Sequence, residues 1–264
     1  MTTATTVRPS KPRTAWKGWL ILAIIVGITW WAGSAIGVDV PALIDNWHHG
    51  AANFVALTQP DYGFFHQTLP YLWETLEMAV IATALASAIG LPIAFLASRA
   101  TNPYRWFMLA VRGVMNVVRA VPDLLSAAIL VSVVGVGALS GAIALFFFNL
   151  AIVVKLVSEA LDGIDLGGQE AALAAGARWT DADRSAVLPE ILPAYASQVL
   201  YTLELNVRAS TVIGLVGAGG LGVVIDQERT FFHYHAVGMI ILEILVIVFA
   251  LEAVSSWLRR RLTR

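Results

Sequence analysis

The chain has 264 residues, of which 58% are hydrophobic and 13% charged, with a formal net charge of −1. A water-soluble domain is about a quarter charged residues, so this composition describes an integral membrane protein. The near-zero net charge gives no ground for a nucleic-acid partner, and the absence of cysteine excludes disulfides, thiolate nucleophiles and thiolate-bound zinc.

Basic residues are placed unevenly. Arg8, Lys11, Arg13 and Lys17 open the chain and the next is Arg99, while Asp39, Asp45, His48, His49, Asp61 and His66 fill the interval. The preference for positive charge inside the cell predicts a cytoplasmic tail over 1–18, a first transmembrane helix over 19–38 and an extracytoplasmic segment over 39–70. Trp16, Trp19, Trp30 and Trp31 fall near the two ends of that helix, where aromatic rings meet headgroups. A cleaved signal peptide is the competing reading, but the apolar run is long for one. The basic tail over 259–264, with Arg259, Arg260, Arg261 and Arg264, is expected inside as well, which demands an even number of crossings.

Between them lies a core domain over 71–258. A second crossing is expected over 71–98. In the stretch that follows, Arg105, Arg112 and Arg119 recur along one helical stripe, the pattern of an amphipathic helix lying at the interface with its arginines towards water or anionic lipid. Pro122 and Asp123 are helix-start residues and open a third crossing. The third and fourth meet at a glycine-rich turn over 135–141, the fifth covers 191–214, residues 226–235 form an outer loop, and the sixth covers 236–257. The expected fold is therefore all-α, with six transmembrane helices.

The polar loop over 163–189 stands apart. Ala171, Ala172, Ala174 and Ala175 favour helix, Gly176 supplies a stop, Thr180 and Asp183 form a candidate capping box for a second short helix, and Pro189 would close it. An alanine surface around the single Glu170 buries little on its own and suits a groove in another protein.

The stretch EAALAAGARWTDADRSAVLP, from Glu170, resembles the signature loop of ABC-importer permeases: Glu170, Ala171, Ala172, Gly176, Leu188 and Pro189 match, and Ala186 stands where that family usually has isoleucine. LYTLELNVRASTVIGLVGAGGLG, from Leu200, is similar to the fifth-span signature of phosphonate-type permeases, with KLVSEALDGID and VVRAVPDLL agreeing, although methionine-type importers share the GAGGLG ending. The resemblance implies a type I importer permease fold with a cytoplasmic coupling helix at 170–189. It also implies a second permease subunit, two cytoplasmic ATPase subunits that hold ATP and magnesium, an extracytoplasmic binding protein, and surrounding membrane lipid. No cofactor is expected on this chain, which has no Walker motif, and the cargo implied is phosphonate or a related phosphorus oxyanion.

Residue chemistry bears on the cargo independently. Glu204, Asn206 and Arg208 lie within an apolar segment, where charges need a partner or a wet path. Glu204 and Arg208 can pair on one face, or Arg208 can offer an anion a site in the pathway. Lys155 with Glu159 repeats the pairing geometry, and Glu243 reads as a hydrogen-bonded structural acid. Gly217, Gly219, Gly220 and Gly222 suit a tight outer turn rather than a nucleotide loop, since they follow a membrane span and no Gly-Lys-Ser/Thr accompanies them. The histidines His48, His49, His66, His233 and His235 show no ligand spacing, so no metal is expected. A membrane enzyme built on Asp45, His48 and His49 is a rival from another class, but it lacks a nucleophile held by a base and an orienting group. A passive channel would have no use for a docking helix.

Overall fold

The computed structural model describes residues 15–262, so Arg8, Lys11, Arg13 and Arg264 lie outside the described residues. Every regular element it contains is helical. The chain divides into two units, Met1–Asn53 and Phe54–Arg264. In the first, α1 (Ala15–Ile36) is apolar enough to cross a membrane and stops at Gly37, whose φ of +75° suits glycine. The segment expected outside is not extended: α2 (Val40–Asp45) is capped by Asp39, whose carboxylate accepts from the Ala42 N–H at 3.1 Å, and α3 (Trp47–Leu57) runs on across the division.

The second unit is built on the packing of α4 (Phe65–Ala97) against α7 (Ala138–Leu161). Lipid tails are as apolar as leucine, so helices in a bilayer associate through close backbone approach and van der Waals contact rather than through expulsion of water. The sequence of α4 meets that need with a buried stripe of Ala79, Ala82, Ala86, Gly90, Ala94 and Ala97. At Gly90 a methyl group would stand 2.9 Å from Val153 Cγ1, so the two helices meet at the distance glycine permits. The opposite side of α4 exposes Val80, Ile81, Leu85 and Ile89. A buried polar knot crosses this packing: Thr83 Oγ1 accepts from Asn206 Nδ2 at 2.8 Å and from Asn149 Nδ2 at 3.2 Å, while donating to the Ala79 carbonyl.

Around this pair lie α5 (Arg105–Ala120), α6 (Asp123–Val134), α8 (Gly167–Ala174), α9 (Trp179–Ala182), α10 (Leu188–Gly214), α11 (Leu221–Thr230) and α12 (Tyr234–Leu262). Four described segments are long and apolar enough to cross a membrane: Trp16–Ile36, Tyr62–Ala97, Ala138–Leu161 and Tyr234–Arg261. Two of the expected crossings depart from that test. The third is cut to the 12 residues of α6, about 18 Å of helix against the roughly 30 Å of a hydrocarbon core, and meets α5 at a bend of 83°. Gly135 and Gly137, with φ of +107° and +132°, divide the long apolar run there. The fifth, α10, is long enough at 27 residues but carries Glu190, Glu204 and Arg208.

The expected outer loop over 226–235 is largely helical: Asp226–Thr230 complete α11, and the chain turns at Phe231–His233 into α12. Leu221 and Val224 of α11 pack with Ile240 of α12, so the glycine-rich segment before α11 is held against the bundle.

Candidate docking loop and translocation face

The 163–189 loop begins at a corner where the C-terminal ends of α4 and α7 meet the middle of α5. Asp162, the residue that ends α7, accepts from Ser98 Oγ at 2.8 Å, from the Arg99 N–H at 2.7 Å and from Arg112 Nη2 at 2.6 Å. The Nε of the same arginine donates to the Ala97 carbonyl, the last of α4. A cation on a helix's terminal carbonyls is favoured by the helix dipole as well as by the hydrogen bond. Burial alone would push the Asp162 carboxyl up, but the Arg112, Ser98 and Arg99 donors outweigh it and hold the group below the usual carboxylate range. Arg112 therefore does not point to lipid or water with Arg105 and Arg119. It is drawn inward because the ends of α4 and α7 need a donor.

From this corner the chain enters α8, which ends as its composition predicts. Gly176, at φ +91°, donates to the Leu173 carbonyl and Ala177 donates to the Ala172 carbonyl, the paired bonds of a glycine-terminated helix. The second half of the loop differs from expectation. No capping box forms at Thr180: α9 begins at Trp179 without a side-chain cap, and Asp183 instead accepts from Gln169 Nε2 at 2.6 Å. Gln169 also donates to the Ala100 carbonyl at 3.3 Å, so one buried amide ties both arms of the loop to the corner after α4. Burial pushes the Asp183 carboxyl up, and the Gln169 bond offsets part of that. Pro189 does not close a short helix. A π-helical turn over Asp183–Val187 continues into α10, and Pro189 falls in its first turn, where its missing N–H costs nothing. The Cβ of Ala186 lies 3.3 Å from the position a methyl group would occupy on Gly168, so two small residues let the arms approach. Glu170, Ala171, Ala174 and Ala175 remain exposed, while Ala172 is half-buried.

Along α10 the three charged or polar candidates separate. Glu204 and Arg208 do not pair. Glu204, 8% exposed, accepts from Arg259 Nη2 at 2.9 Å, which sets this level of α10 beside the C-terminal end of α12 rather than in mid-span. Asn206 is fully buried in the knot with Thr83 and Asn149. Arg208 is exposed, on a stripe with Tyr201, Val212 and Leu215.

Past α10, Gly217, Gly219 and Gly220 take φ of +86°, +88° and +70°, and the loop is pinned by Gly137 N–H to the Gly217 carbonyl and by Leu221 N–H to Thr75 Oγ1. Gly222 is helical, and a methyl group on it would lie 2.1 Å from the Thr211 carbonyl. Glu243 accepts from Thr68 Oγ1 at 2.5 Å, Lys155 pairs with Glu159, His233 donates to Glu228, and His235 donates to the Gln59 carbonyl. His48, His49 and His66 are exposed, and the described residues contain no group of three His, Asp or Glu able to hold a metal. Sequence reasoning passed over Asp162 and Gln169. Asp162 lies inside KLVSEALDGID without any periodic signal of its own, and Gln169 sits on a helix whose composition reads as solvated.

Several helices apolar enough to cross a membrane, joined by a polar, partly exposed loop, describe a multi-pass membrane protein. The model of the family described as binding-protein-dependent transport system inner membrane component matches residues 89–264, and the chain belongs to that family, non-catalytic membrane subunits of ABC importers. The chain is 37% identical over 189 residues to the phosphate-import permease protein PhnE of Mycolicibacterium smegmatis, a match covering 72% of this chain and 36% of that protein. It is 35% identical over 246 residues to the phosphite transport system permease protein PtxC of Stutzerimonas stutzeri, covering 93% and 90%. A solved structure of inward-facing conformations of the MetNI methionine ABC transporter matches with a TM-score of 0.67 at 26% identity, over 77% of this chain and 98% of that one.

Proposed function

We propose that this permease carries phosphonate or a related phosphorus oxyanion, phosphite or phosphate, into the cell. The observation that carries the reading is the 35% identity to a phosphite permease across 93% of this chain. The methionine-type alternative has weaker support, 29% sequence identity over 70% of this chain and a fold match at 26% identity. In this reading six crossings, made by α1, α4, α6, α7, α10 and α12, leave both termini and the 163–189 loop in the cytosol, in keeping with Lys17, Arg99 and Arg259–Arg261.

The exposed surface around Glu170 and Ala171 seats in a cleft of each of two ATPase subunits. A second permease, a copy or a homologue, closes the pathway against the α10 stripe, and Arg208 offers the anion a transient charge-assisted site. ATP binding draws the ATPases together, the loops move with them, and the halves rock outward to receive cargo from a binding protein. Because Gln169 and Asp162 fix the loop to the ends of α4 and α7 and to the middle of α5, displacement of the loop is passed to the bundle as a rigid push. The glycine segment over 217–222 forms the outer turn that closes behind the cargo.

The test is to purify the assembled transporter from its native host and measure ATP hydrolysis with its loaded binding protein. Stimulation by phosphite, methylphosphonate or phosphate is expected. Stimulation by methionine with none of these would refute the cargo. Cross-linking from Ala171→Cys is expected to reach the ATPase, and failure would refute the docking role separately.

A further inference from the structure

The corner where α4 ends and α5 begins holds a second feature. A cleft of about 420 Å³ is lined by Arg99, Asn102, Pro103, Arg105, Met108 and Leu109. Both arginines are exposed, and neither guanidinium has a partner among the described residues. Arg112, two helical turns further along α5, is committed to Asp162 and Ala97, which leaves Arg99 and Arg105 as the uncommitted cations lining this cleft. Asn102 and Pro103 also border an apolar groove of about 660 Å³, walled by Leu91, Phe95, Leu96, Tyr104, Trp179 and Leu188.

The surroundings identify the medium. Trp106 is 89% exposed, and Leu109, Gly113 and Val117 follow it at helical spacing as an exposed apolar stripe along α5. A soluble protein partner or a water-borne anion would leave that stripe without cover, whereas a bilayer interface covers it. Two uncompensated cations over an apolar floor, beside an apolar channel and exposed aromatic rings, match a ligand with an anionic head and a hydrocarbon tail.

We propose that this corner is a binding site for one anionic phospholipid, its phosphate bridged by Arg99 and Arg105 and an acyl chain lying in the groove against Leu96 and Phe95. The site adjoins the loop through Ala100, which accepts from Gln169, so a bound lipid would brace the corner that carries the coupling loop.

The test uses the full chain in bilayers of phosphatidylglycerol diluted in phosphatidylcholine, with gentle extraction and mass spectrometry of the retained lipid. The wild type is expected to enrich phosphatidylglycerol over its bulk share, by about fivefold for each arginine engaged. Arg99→Gln with Arg105→Gln should return the ratio to bulk, Leu96→Asp should do so with both arginines intact, and Arg119→Gln, outside the cleft, should keep the enrichment. Unchanged retention in the double variant overturns the proposal, as does equal loss in Arg119→Gln. Displacement of the lipid by millimolar inorganic phosphate would make this a site for free oxyanion, and loss of ATPase association with lipid retention intact would make it a protein contact. Either result overturns the assignment.

Discussion

Arg112 and Asp162 are joined at 2.6 Å, and through that one contact the ends of α4 and α7 are locked to the middle of α5. Both side chains are about three-quarters buried, so the pair is only modestly screened by solvent. Removing the arginine strips the Ala97 carbonyl and the carboxylate of a donor together. Arg112→Gln is expected to cost about 1–3 kcal/mol, read as a lower unfolding midpoint in detergent. The sign of the pH dependence follows from the lowered Asp162 carboxyl. Its stabilisation is complete above the ordinary carboxylate value near 4 and is lost as pH falls through the depressed one. Asp162→Asn should flatten that acid limb of the unfolding midpoint, and an unchanged limb would refute the clamp.

Gln169 and Asp183 make the opposite case. Here burial raises the carboxyl, so its ionisation opposes folding as pH rises from the ordinary value through the raised one. Asp183→Asn is therefore expected to be tolerated at neutral pH, since the amide oxygen can still accept from Gln169. Gln169→Ala leaves a half-buried carboxylate with no donor and should cost about 1–3 kcal/mol. Adding Asp183→Asn to Gln169→Ala should restore part of that loss, and strictly additive unfolding midpoints would contradict the coupling.

What the sequence discloses here depends on periodicity. The apolar runs of α4, α7 and α12 and the glycine stop at Gly176 are legible because each has a local cause in composition or turn chemistry. The Arg112 clamp is not legible, because its cause lies 50 residues away in an aspartate that only folding brings near. The same holds for Glu204: local spacing offers Arg208 as its partner, yet tertiary packing supplies Arg259 from α12. Local rules also placed a capping box at Thr180, where the more favourable use of Asp183 is to receive the Gln169 amide.

The glycines separate into structural and permissive positions. At Gly141 a methyl group would stand 2.2 Å from the Ala218 carbonyl and 2.9 Å from Met78 Sδ, with backbone on one side that cannot give way. Gly141→Ala and Gly222→Ala are expected to abolish stable expression or to lower the unfolding midpoint severely, as overpacked backbone contacts do. Gly113, in the interior of α5, has nothing within 4 Å of its added methyl group, so Gly113→Ala should be neutral or stabilising by up to about 1 kcal/mol. Thermal unfolding of the three variants side by side checks the distinction, and a tolerated Gly141→Ala would contradict the close approach of α7 to the glycine segment.

Arg208 and Glu204 should fail in different ways although they lie one helical turn apart. Glu204→Gln removes the charged partner of a buried arginine contact and is expected to act on stability or assembly. Arg208, exposed on its stripe, holds no such contact, so Arg208→Gln should leave folding and basal ATP hydrolysis of the assembled complex unchanged. If Arg208 serves the anion as proposed, losing one charge-assisted hydrogen bond, worth about 1.5–3 kcal/mol, corresponds to a fall of at least about tenfold in uptake efficiency. Radiolabelled uptake in proteoliposomes, set beside ATPase activity and unfolding midpoint, distinguishes the two. Uptake that survives Arg208→Gln intact would remove this arginine from the pathway and return the choice of cargo to other residues on the same face.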